Sequence, residues 1–216
     1  MDSMAFGIAL AELSYENTFP LMSDSTYEPH REESFAAQSS ESNQSPESCV
    51  YDYLAQDERN MVIVFFSNYS DYNLNAVREM QLDDSTVTGL SDEGAHVSLI
   101  FDAVNPTYQL SYWTRDRARG ETLPLAHVIH RATRRNAELF GFADRRLLVP
   151  GMKADLNVID YENLKLEELK VVNDLSAGGA RIMQGASGYL ATLIDSVVTW
   201  LKDEDTGVRP GRLLRS

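Results

Sequence analysis

Few residues in this chain have chemistry to offer, and Asp92 leads them. It lies in the stretch Thr86-Val-Thr-Gly-Leu-Ser-Asp-Glu-Gly-Ala-His96. The β-branched and apolar start of that stretch favours a short buried strand, Thr86 to Leu90, and Gly94 then breaks it. A carboxylate at the carboxyl end of a parallel strand is where α/β enzymes place metal ligands and proton-transfer groups. The residues alone leave a second reading open, an ordinary turn built on aspartate.

The other chemically able side chains point less clearly to a site. There are four histidines, His30, His96, His127 and His130. No two have the His-x-His spacing that sets two imidazoles on one side of a strand. His127 and His130 stand three apart on a predicted helix, so they could share a face. A zinc pair there would still want a third and a fourth ligand, and a surface or helix-packing role suits them better. The single cysteine, Cys49, reads as a packing thiol on a helix. Gly178, Gly179, Gly185 and Gly188 read as turn glycines. They do not form the Gly-x-Gly-x-x-Gly fingerprint of a phosphate-binding turn. No nucleophile elbow is present.

The elements that must position Asp92 follow from pattern. Ser45-Pro46-Glu47 is a helix start, with a capping hydroxyl, a proline in the first turn and an acid at the positive dipole end. It predicts a helix from about Pro46 to Gln56, with Val50, Tyr53 and Leu54 at helical spacing. Met61 to Phe66 is apolar on both faces, as in a fully buried parallel strand. Leu74 to Leu82 predicts a short helix with Leu74, Val77 and Met80 inward. With the Asp92 strand these make a right-handed βαβ unit. Residues 97 to 105 read as an irregular loop. Pro106 opens a helix to about Arg117. Pro124 opens another, with Leu125, Val128, Ile129, Ala132, Leu139 and Phe140 on one face and Gly141 as its stop. Beyond Asp144 the texture becomes a mostly antiparallel β region, with runs at Ala154–Ile159, Ala180–Gln184, Tyr189–Ile194 and Val197–Leu201.

Composition narrows the function classes. The chain has 216 residues, 43% hydrophobic, enough for one or two cored domains. Its net charge of -14, from 33 acids against 19 bases, argues against nucleic acid as a partner. No apolar run nears the roughly 20 residues of a membrane helix. A lone cysteine and no basic leader fit a cytoplasmic setting.

Several stretches together carry a resemblance. Gly89-Leu-Ser-Asp-Glu-Gly-Ala-His-Val97, Asp116-Arg-Ala-Arg-Gly-Glu121 and Pro150-Gly-Met-Lys-Ala-Asp-Leu-Asn-Val-Ile-Asp160 resemble the amidohydrolase superfamily. The branch resembled is the D-aminoacylase, or N-acyl-D-amino-acid deacylase, group. Asp174-Leu-Ser-Ala-Gly-Gly179 and Gly207-Val-Arg-Pro-Gly-Arg212 are similar to that group's closing segments. The resemblance implies an α/β fold: the C-terminal part of a (β/α)8 barrel over residues 1–144, then a small β-sandwich region over 145–216. It implies a zinc-dependent hydrolase that cleaves a non-peptide C–N amide bond of a small-molecule substrate with metal-activated water. Asp92 would lie at the metal and carry the catalytic proton from water to leaving amine. His96, in the loop after it, would contact substrate or order the loop.

The departures from the family are equally informative. Its His-x-His, its later metal-binding histidines and its bridging side chain are absent from this sequence. A (β/α)8 barrel needs about 200 to 250 residues, and only two of its strands can be read here. The chain as given is therefore expected to lack most metal ligands and to be inactive alone. Asn105-Pro106-Thr107 stands where the family has His-Pro-Arg, which removes a natural partner for a substrate carboxylate. Asp195-Ser196 replaces an Asn-Gly turn. The alternative is a non-catalytic relic acting as a binding or assembly module, its exposed strand edges favouring self-association.

Overall fold

The computed structural model describes residues 14–21, 27–89, 91 and 102–214. The chain divides into two compact units, Met1–Met80 and Gln81–Ser216.

In the first unit an aromatic cluster forms around Phe19, which is fully buried. Phe65, Tyr69 and Tyr72 meet its ring edge-on at 5.9, 6.1 and 6.4 Å, and Phe65 stacks on Tyr69 at 3.9 Å. Edge-on pairs suit the ring quadrupoles. Phe19 lies in strand β1, Thr18–Leu21. Helices α1 (Phe35–Ser42) and α2 (Pro46–Gln56) follow. The start read from Ser45-Pro46 holds, since the Ser45 hydroxyl accepts the Ser48 N–H at 3.2 Å. Cys49 is buried on α2, with Sγ 3.6 Å from the Ser42 hydroxyl. Strand β2 is Met61–Val64, and helix α3 is Asn75–Leu82. Buried Glu28 accepts the Leu74 N–H at 2.6 Å at the start of α3.

Two expectations fail here. β2 pairs antiparallel with β1, Thr18 opposite Val64 and Leu21 opposite Met61, so it is not the first strand of a parallel βαβ unit. It is also half-buried, and Phe66 is 86% exposed. A run apolar on both faces does not reveal whether anything covers both faces. Of the next expected strand, Thr86 to Leu90, residues 86–89 have no strand pairing among the described residues, and Leu90 lies outside them. The Thr86 N–H donates to the Asp83 carbonyl at 3.2 Å, and side chains meet the Thr86 and Thr88 carbonyls.

In the second unit, after 81–89, comes helix α4, Asn105–Ser111, which widens into a π turn over Tyr112–Asp116. Helix α5, Leu125–His130, likewise passes through a π turn, Arg131–Arg135, into α6, Asn136–Leu139. Gly141 follows at φ +74, the left-handed stop expected there. The predicted apolar face of this helix is only partly right. Val128 and Ala137 are buried and so is Arg131, while Ile129, Leu139 and Phe140 are exposed. A π turn adds a residue to one turn and rotates all that follows, here Leu139 and Phe140, which a 3.6-residue reading cannot register; Ile129 precedes that turn.

The β region is antiparallel throughout its described pairings. Strands β3 (Leu156–Ile159), β6 (Tyr189–Ile194), β7 (Val197–Leu201) and β8 (Glu204–Asp205) form one sheet in the order β3-β6-β7-β8. Strands β4 (Lys165–Leu175) and β5 (Gly179–Ser187) form a separate hairpin. The expected division near Asp144 falls inside this unit. There α4 is tied to the β region. Arg115 donates to the Leu164 carbonyl at 2.6 Å and to that of Tyr161, and Thr107 shares a hydrogen bond with the Tyr189 hydroxyl at 2.8 Å.

Candidate functional site

Asp92 and His96 both lie in 92–101, outside the described residues. The structure does describe what leads to them, Gln81 to Gly89. Asp83 closes a local turn, its carboxylate accepting the Ser85 N–H at 2.7 Å and the Ser85 hydroxyl at 2.6 Å. Those bonds, with the nearby Arg131 charge as a lesser cause, hold its carboxyl below the usual carboxylate range.

The segment then runs along the α5–α6 helix with no strand paired to it among the described residues. His127 Nε2 lies 2.9 Å from the Gln81 carbonyl oxygen. Arg131 donates to the Asp83 carbonyl at 3.1 Å, to the Thr86 carbonyl at 2.7 Å and to the Thr86 hydroxyl at 2.6 Å. Arg135 donates to the Asp84 carbonyl at 2.9 Å. Asn136 donates to the Thr88 carbonyl at 2.9 Å. Backbone carbonyls need donors, and here side chains supply them. The sequence did not single out Arg131, Arg135 or Asn136. The signal for Arg131 and Arg135 was a row of polar residues every fourth position from His127, easily passed over as a solvated face; Asn136 directly follows that row.

His127 therefore has a helix-packing role, and His130 on the same helix is exposed. His30 belongs to the first unit, where its backbone N–H donates to Glu33 at 2.5 Å. Among the described residues no group of three or more His, Cys, Asp or Glu is placed to hold a metal ion. The donor set a zinc needs, about three protein ligands, is not met by them.

Two of the other stretches, 116–121 and 150–160, have structural roles. Arg117 is buried over the Trp113 ring at 5.1 Å and donates to the Glu121 carbonyl at 2.8 Å, folding 116–121 back on its helix. In the Pro150–Asp160 stretch, Asp155 accepts from Arg145 at 2.5 Å and from the Asp195 N–H at 2.8 Å. It ties the start of β3 to the β6–β7 turn.

A model of the amidohydrolase family matches residues 46–202, which takes in the Asp92 stretch and the whole of Pro150–Asp160. The chain belongs to the amidohydrolase family. Among solved structures, a D-aminoacylase studied for the role of its binuclear metal center is similar over 96% of this chain and 44% of its own, at 20% identity and a TM-score of 0.46. The chain thus spans less than half the length of that structure. Among curated proteins none matches. No helix among the described residues of this family member is long and apolar enough to cross a membrane.

Proposed function

We propose that this chain is the C-terminal portion of a metal-dependent amidohydrolase of the N-acyl-D-amino-acid deacylase type. The complete enzyme hydrolyses a non-peptide C–N amide bond of a small molecule. Residues up to about 144 belong to its (β/α)8 barrel and residues 145–216 to a small β-sandwich. The observation that carries the reading is the family match across residues 46–202, which includes Asp92 and Ala154-Asp155-Leu156. Asp92 is the catalytic acid/base and a metal ligand, zinc being the metal, and His96 contacts the substrate. The setting is cytoplasmic.

The chain by itself is inactive, because one aspartate cannot hold a catalytic zinc that needs about three protein ligands. The test is to purify it, measure bound zinc and assay amide hydrolysis. Stoichiometric zinc with turnover would refute inactivity. In a longer form carrying the upstream ligands, Asp92→Asn abolishes turnover; retention of the wild-type rate sinks the assignment.

A second reading, a non-catalytic assembly module, is favoured by one observation. β2 is apolar on both faces yet only half-buried, and Phe66 beside it is exposed, a surface that promotes self-association. Sedimentation of the apo chain decides between them: a monodisperse monomer counts against the assembly reading.

A further inference from the structure

Five carbonyl oxygens of one segment, those of Gln81, Asp83, Asp84, Thr86 and Thr88, are met by side chains of one helix. Among the described residues no strand pairs with this segment; apart from the Thr86 N–H bond to the Asp83 carbonyl at 3.2 Å, these side chains stand in for a ladder. Their spacing explains how one helix reaches so far. His127, Arg131 and Arg135 are four apart, and four residues overshoot a 3.6-residue turn by about 40°. The wider π turn over Arg131–Arg135 steps back the other way. The two offsets cancel and leave the three side chains in one row.

Arg131 is the centre of that row. It is buried, and its guanidinium spans the Asp83 and Thr86 carbonyls together. Its Nε is buried without a hydrogen bond among the described residues, so the side chain is desolvated for the sake of these contacts. A planar fork can hold two separated acceptors, whereas an ammonium is a point donor.

We infer that Arg131 is a positioning residue. It fixes the course of Asp83–Thr88 and so the direction in which the chain enters the stretch bearing Asp92. The consequence for catalysis rests on the hydrolase reading above; the clamp itself does not.

The test compares Arg131→Lys and Arg131→Gln with Arg134→Gln in the full chain. Arg134 is on the same helix, paired with Glu138 at 2.8 Å, and loses the same charge. Amide exchange is followed over 81–89 and over the helix, with the Asp92 backbone amide resonance followed by NMR. Arg131→Lys should speed exchange over 83–89 by about tenfold and move the Asp92 backbone amide resonance, with the helix still protected. Arg134→Gln should change neither. Wild-type exchange over 83–89 in Arg131→Gln overturns the proposal. So does loss of protection everywhere in both Arg131 variants, for Arg131 would then hold the fold and not the segment. Exchange does not depend on turnover, so a failed hydrolase reading appears in the zinc and hydrolysis assays and leaves the exchange result standing.

Discussion

The Asp155 carboxylate accepts the backbone N–H of Asp195 at 2.8 Å, and this bond joins the first strand of the main sheet to the turn between β6 and β7. The same carboxylate takes a charge-assisted bond from Arg145, and Ser196 N–H donates to the neighbouring Ala154 carbonyl at 3.1 Å. Asp155→Ala removes an acceptor shared by two elements. Since the site is partly exposed, the cost should be about 1–2 kcal/mol. Urea unfolding of the two proteins checks it; equal midpoints would show that the bond is dispensable.

Within that turn Asp195 and Ser196 sit at φ 50 and φ 69. A side chain in the left-handed region costs roughly 1–2 kcal/mol, and glycine's extra freedom in the unfolded chain gives back roughly 0.5–1. Ser196→Gly should therefore stabilise the protein by about 0.5–1 kcal/mol, read as a higher thermal midpoint. A lower midpoint would mean that the Ser196 side chain contributes more than its strain removes.

Gly188 predicts the opposite sign. It adopts φ +109, and a Cβ there would lie 2.8 Å from the Cα of Leu164, which is fully buried. The close approach accompanies the hydrogen bond from Asp160 N–H to the Gly188 carbonyl at 2.8 Å. Gly188→Ala must move backbone, at a cost of about 2–4 kcal/mol. Gly207 at φ +79 has nothing within 4 Å. Gly207→Ala should cost less, about 1–2 kcal/mol. Equal losses by calorimetry would remove the steric argument.

Arg209 bonds bidentately to Asp205, at 2.8 and 2.5 Å, and the Gly207 N–H adds another bond at 2.8 Å. These hold the Asp205 carboxyl at about 2, against an ordinary 3.8, with the arginine as the larger cause. A carboxyl lowered by folding stabilises the fold above its unfolded value. That contribution is lost as pH falls from about 4 to about 2. Arg209→Gln should raise the Asp205 midpoint toward the ordinary value and flatten the acid end of the stability curve. An unmoved carboxyl resonance in an NMR titration would count against the pairing.

Local physics made much of the architecture legible. Ser45-Pro46 fixed the start of α2, because a capping hydroxyl and a preset φ act within one turn. Tyr189–Ile194 and Val197–Leu201 were read at their observed bounds, because period-two patterns between turn residues need no distant partner. Lys165–Leu175 was missed. Its charges, Lys165, Glu167, Glu168 and Lys170, break the alternation, and register shifts after Leu166 and Val172 change which side chains share a face.

The sequence by itself determined the family, since the match over residues 46–202, with Ser91-Asp92 and Ala154-Asp155-Leu156 inside it, is a matter of residue order. Only the tertiary structure decided what the 81–88 segment lies against. A helix reading supplies a period, but the π turn at Arg131 resets it. That turn brings Arg131 and Arg135 into line with His127 and turns a polar row inward onto backbone carbonyls, a juxtaposition some 45 residues apart in the chain that no local preference encodes.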